Sequence, residues 1–177
     1  MKALTLWQPW ASLIVVGAKP FEFRRWKAPR SAIGQRLVIH ASARPMRASE
    51  IREIVDHLKF GGANAAATCL HVDAALELLL PLYHFKKPVG LPLAAGLGTA
   101  ILGEPRNGIE IAVQEFGFPQ EAEDELTSLP GFDSDRSEHA NWGWPMIDIE
   151  KWDEPQPMRG AQGLWNWPGA AQFAEKL

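Results

Sequence analysis

A chain of 177 residues with 18 Lys and Arg against 21 Asp and Glu, and 46% hydrophobic residues, describes one soluble globular domain able to bury a core without staples. Its single cysteine, Cys69, excludes an internal disulfide framework and any zinc site built on several cysteines, and it fits a reducing compartment. No run reaches the ~18 apolar residues that span a bilayer, and the N-terminus lacks a signal-peptide pattern, so a cytoplasmic location without a membrane partner is expected.

The net charge of −3 hides an asymmetry: residues 1 to 60 carry eleven Lys and Arg against four Asp and Glu, and the remaining residues carry seven against seventeen. A basic N-terminal third in a slightly acidic protein points to a local anion-binding surface; a solvated face with chance clustering is the alternative.

Ala3 to Leu6 reads as an opening strand. An apolar helix follows, from Pro9, suited to a first helical position, to Val16, with Gly17 as its stop. Phe21 to Trp26 alternates as a strand, Phe21 and Phe23 on one face and Glu22, Arg24 and Trp26 on the other. Arg36 to Ala41 is a third strand, with Leu37 and Ile39 opposed to Val38 and His40. Ser49 is expected to cap a helix in which Ile51, Ile54, Val55 and Leu58 share a face, ended by Gly61-Gly62. A second helix runs from about Val72 to Leu80, stopped near Pro81, and Lys87-Pro88 to Gly96 is a connection. Gly96-Leu97-Gly98 reads as a turn entering a strand over Gly98 to Leu102, and Ile109 to Val113 as another strand. An acidic loop occupies about 117–139, and the last strands are Trp144 to Ile149 and Gly163 to Trp167.

All eight tryptophans fall within residues 1 to 26 or 142 to 177, which predicts that the two ends pack together, with about 46–96 as a helical insertion on the sheet they build. The whole chain, 1–177, then reads as one domain.

Zinc-protease, phosphate-loop and nucleophile-elbow motifs are absent. Cys69, His71 and Asp73 alternate as ligand types, but no second cluster completes a site, so neither a metal nor a cofactor is expected. The stretch that carries chemistry is Gly17-Ala18-Lys19-Pro20-Phe21-Glu22-Phe23-Arg24, where a helix stop, a turn and a strand gather three charges. Arg24 offers a planar fork for phosphate, Lys19 a mobile point charge, and Glu22 a proton acceptor or a counter-ion. The plainer alternative is an ion pair on a wet sheet edge.

Trp7-Gln8-Pro9-Trp10-Ala11 followed by Gly17-x-Lys19-x-x-Glu22-x-Arg24 resembles the ASCH family of the PUA-like superfamily. Leu37 to Ser42 is similar to that family's next strand, and Trp142 to Ile149 with Arg159-Gly160-Ala161-Gln162-Gly163-Leu164-Trp165 to its closing section. The helical middle and the acidic loop fall outside the resemblance. It implies an α+β fold, a small mixed β-barrel with surrounding helices, and a cleft that binds RNA or a nucleotide. Superfamily members that hydrolyse acetylated cytidine are similar at Lys19 and Arg24 but carry threonine where this chain has Glu22.

In the binding reading, Lys19 and Arg24 hold phosphate, Trp10 or Trp26 stacks on a base, and Arg25, Lys27, Arg30, Arg36, Arg44 and Arg47 extend the basic surface. Arg159 and Gln162 are further contacts by family analogy, and Asp148 orients a cation. In the hydrolytic reading, Glu22 is the base for RNA cleavage and His40 the acid, or Lys19 activates the attack on a modified nucleoside. A third reading is a protein-interaction module working through Glu104 to Glu154, where fourteen acids face three bases.

Overall fold

The computed structural model describes residues 1–85, 90–119 and 141–168; most of the acidic loop and Lys87-Pro88 lie outside the described residues. The chain runs β1 (Lys2–Leu6), α1 (Trp10–Val15), β2 (Phe21–Arg24), β3 (Arg36–Ala41), α2 (Ala48–Phe60), α3 (Gly62–Ala67), α4 (Val72–Leu79), β4 (Ala95–Leu102), β5 (Arg106–Asn107), α5 (Gly108–Phe116), β6 (Trp142–Pro157) and β7 (Leu164–Asn166). The strands form one mixed sheet in the order β2-β6-β4-β3-β1-β7, with β5 also on β6. β1 and β3 are parallel and the other pairs antiparallel. The sheet curls into a half-barrel surrounded by helices, the α+β architecture expected from the sequence.

Burial follows the alternation of the strands. Leu37 and Ile39 join Leu4, Leu6 and Ile14 in the main core under α1, while Val38 faces the other way and meets Ala3 and Trp167. Each fully buried Leu or Ile contributes about 1.5–3 kcal/mol relative to exposure, so these rows fix the strand registers. A second core joins Leu13 of α1 to Ile51, Val55 and Leu58 of α2 and Leu79 of α4, which seats the helices between β3 and β4 against the sheet. The two tryptophan-rich ends do pack together: Trp165 pairs with Ala3 across β7 and β1, and the Trp144 indole N–H donates to the Trp26 carbonyl at 3.0 Å.

Four local readings are corrected. Residues 109–113 are the body of helix α5 and not a strand: the Asn107 side chain accepts from the N–H groups of Ile109 (2.9 Å) and Glu110 (3.3 Å), and Gly117 ends the helix at φ +71°. Helix α2 begins one residue before Ser49, with Arg47 as its cap residue and the Glu50 carboxylate accepting from the Arg47 N–H at 2.9 Å. Gly96 and Gly98 lie inside β4 and not in a turn. A Cβ on Gly98 would stand 2.4 Å from the Glu150 carbonyl, and one on Gly96 would stand 2.7 Å from the Trp152 and Trp167 rings. Glycine at both positions therefore admits the close passage of β6 and its tryptophans. Finally, β2 stops at Arg24, leaving Trp26 beyond the strand with 58% of its surface exposed.

Candidate functional site

The site begins with the end of α1. Gly17 takes φ +76°, which glycine adopts without a Cβ penalty, and the Leu13 carbonyl then accepts from both Ala18 (2.9 Å) and Lys19 (3.0 Å). Pro20 directs the chain out of the turn, and its carbonyl accepts from Met146 at 2.8 Å, delivering the next residues to β2 beside β6. The expected alternation along β2 puts Glu22 and Arg24 on a shared side.

The structure brings Lys19, Glu22 and Arg24 together. Arg24 Nη2 lies 2.7 Å from Glu22 Oε1, and Lys19 Nζ lies 3.5 Å from Glu22 Oε2. Lys19 also donates to the Phe21 carbonyl at 2.5 Å and stands 5.0 Å above the Phe23 ring and 5.6 Å above the Trp10 ring. Lys19 and Glu22 are buried, whereas 28% of the Arg24 side chain is exposed. Arg24 Nε is buried and donates to no described acceptor. Two cations around one carboxylate leave the cluster with a net formal charge of +1, and Arg24 is its member open to solvent. Trp10 is thus part of this cluster. Trp26 is exposed on the loop that follows β2, with Arg25, Lys27 and Arg30 exposed beside it in sequence.

His40 is placed elsewhere. It is fully buried on the β3 face opposite Leu37 and Ile39. Its Nε2 lies 2.9 Å from the Met158 carbonyl, which only accepts, so that nitrogen carries the hydrogen. Its Nδ1 lies 3.3 Å from Thr5 Oγ1, which in turn accepts from the Trp165 indole at 3.0 Å. Burial holds the imidazole pKa below its usual 6.5. None of these partners belongs to the Lys19, Glu22 and Arg24 cluster, and the imidazole is not brought to it.

Arg159 and Gln162 line a groove of about 670 Å³ together with Thr5, Ser42 and Met158. Two of the predicted surface cations are neutralised within the fold: Arg36 pairs with Asp148 and, at 3.4 Å, with Glu150, and Arg44 pairs with Glu50 at 2.5 Å. Asp148 therefore does orient a cation. Glu115, another acid of the 104–154 stretch, is taken up by Arg106 at 2.5 Å. Among the described residues no group of His, Cys, Asp and Glu is arranged to hold a metal, and no helix is long and apolar enough to cross a membrane.

Sequence reasoning missed the Thr5, His40 and Trp165 chain and the contribution of Thr5 and Ser42 to the groove. The parallel register that pairs Thr5 with His40 leaves no local signal in either strand.

The ASCH domain family model matches residues 4–92. That span includes the helices α2 to α4, which the sequence resemblance left out, and ends before β6 and β7, which it included. No curated protein matches the chain.

Proposed function

The chain belongs to the ASCH domain family, PUA-like domains that generally bind RNA, and on that premise we propose that it reads a single-stranded RNA segment or a nucleotide at the Lys19, Glu22 and Arg24 cluster. The observation that carries this is the state of Arg24. One arm of its fork is fixed on Glu22, its Nε is buried, and 28% of the side chain is open to solvent. A guanidinium held in this way is oriented before its ligand arrives and retains donors for phosphate oxygens. Lys19, buried against Trp10 and Phe23, positions Glu22 and adds positive potential. Exposed Trp26 supplies a face for a base, and Arg25, Lys27 and Arg30 extend the electrostatic footprint.

Each Glu22 oxygen faces a cation, so the carboxylate serves as a counter-ion, which favours binding over base catalysis. Residues 1–177 act as one unit in this account, since β4, β6 and β7 complete the sheet that β1 to β3 begin. A cytoplasmic location accords with the single buried thiol.

The test is fluorescence anisotropy with short labelled RNA across a salt titration, alongside incubation with labelled RNA and with acylated cytidine. The wild type should bind without turnover, and Arg24→Gln should weaken binding about tenfold and lower the salt slope by about one. Affinity that stays flat with salt would contradict the phosphate reading. Turnover lost in Glu22→Gln with binding retained would make the protein a hydrolase instead.

A further inference from the structure

The groove beside Arg159 lies at the far end of the sheet from the cluster described above. Along the β4 and β6 ladder, Leu102 pairs with Met146, next to Pro20, while Ala95 pairs with Pro157. At about 3.3 Å per residue, Ala95 and Leu102 stand roughly 20 Å apart, so the backbones of the two places are well separated.

Main-chain bonds build the groove. The Ser42 N–H donates to Leu6 at 2.8 Å, Ala94 to Ser42 at 3.1 Å and Met158 to Ala94 at 2.8 Å, which ties the ends of β1 and β3 to the segment after β6. That segment then crosses over Thr5 and His40 at Gly160. A Cβ there would lie 2.5 Å from His40 Cε1 and 2.9 Å from Thr5 Oγ1, so a glycine lets the crossing lie this low.

The groove is lined mainly by apolar surface, from Ala43, Ala94, Pro157, Met158 and Ala161, and its charged member is Arg159. Arg159 is exposed and no described carboxylate pairs with it, whereas Arg24, Arg36, Arg44 and Arg106 each have an acidic partner. The main-chain N–H groups of Arg159, Gly160 and Ala161 donate to no described acceptor. Ser42 and Gln162 belong to the same lining, and no Asp or Glu does. A volume of about 670 Å³ is the size of a small-ligand site. A mainly apolar concave surface edged by one guanidinium and no acid suits a ligand with an apolar body and an anionic group.

We propose that this groove is a second ligand site, one that takes a phosphate group on the Arg159 guanidinium and the amides of the segment from Arg159 to Ala161. The phosphate comes from a free nucleotide or from the backbone of a bound RNA; only the second source rests on the RNA-binding reading.

The experiment follows backbone amide NMR signals of the full chain during titration with inorganic phosphate, uridine 5′-monophosphate and a short single-stranded RNA, for wild type, Arg159→Gln and Arg24→Gln. Phosphate and the mononucleotide should move the signals of residues 158–162. Arg159→Gln, an exposed change that leaves the core intact, should weaken this binding about tenfold, and Arg24→Gln should alter it by less than about twofold. Gly160→Val, which lifts the crossing, should abolish it. Movement of the same signals by RNA, lost in Arg159→Gln, identifies the backbone as the source. Wild type that takes the mononucleotide here but binds no RNA would uphold this site and overturn the RNA-binding reading. Arg159→Gln that takes phosphate as the wild type does, or signals that move only around Arg24, would overturn the inference.

Discussion

The Arg24 guanidinium and the Glu22 carboxylate meet at 2.7 Å within one strand, two residues apart on the same side, with the carboxylate buried and the guanidinium partly open. Glu22 therefore faces two ways: inward to the Lys19 amine at 3.5 Å, and outward to the cation that meets a ligand. The acid is the hinge of the site, because it faces both cations, one of them fully buried.

Glu22→Gln is accordingly expected to cost about 3–5 kcal/mol, the effect of removing one partner from a buried charge cluster. Urea denaturation of the variant against the wild type measures it. A loss below about 1 kcal/mol would show that the cluster behaves as an exposed ion pair.

Asn107→Ala should destabilise the protein by about 1 kcal/mol, because its side chain caps α5 by accepting from Ile109 and Glu110. Asn107→Asp should be nearly neutral, since the acceptor is retained at the positive end of a helix. Thermal melts of both variants check this. Equal melting temperatures for Asn107→Ala and wild type would mean that α5 is held by the packing of Ile111 and Ala112 alone.

His40 makes stability depend on pH with a defined sign. Its folded pKa is lowered from 6.5 by burial, so on acidification the unfolded chain takes up the proton first. Its contribution is complete above pH 6.5 and declines as pH falls from there toward the folded pKa, with a slope of at most about 1.4 kcal/mol per pH unit. Urea midpoints measured between pH 7.5 and 5 for wild type and His40→Gln separate this part of the slope from that of other groups. An identical slope in both proteins would contradict the assignment.

What the sequence made legible, and what it hid, follows physical range. Short-range patterns carried through: the alternation of Phe21 to Arg24 and of Arg36 to Ala41, the Gly17 stop, and the Gly-Lys-Glu-Arg spacing whose three charges do converge. The α5 segment reads as a strand because Ile109, Ile111 and Val113 alternate, and only the cap at Asn107 and the Gly117 stop distinguish the helix. Alternation assigns His40 to the face opposite Leu37 and Ile39, yet which end of the sheet that face serves depends on β1 and β7, far away in sequence. Arg159 and Gln162 share that history: a turn near the C-terminus joins whichever strand ends the topology delivers to it, and here those are the ends of β1 and β3.

The central claim, that Arg24 receives a phosphate on a fork fixed by Glu22, is tested most directly by the Arg24 Nε–H NMR signal during titration with a short single-stranded RNA. The account predicts that this signal moves and saturates with the same dissociation constant as the anisotropy of the labelled RNA. Saturable RNA binding that leaves the Arg24 Nε–H signal in place would contradict it.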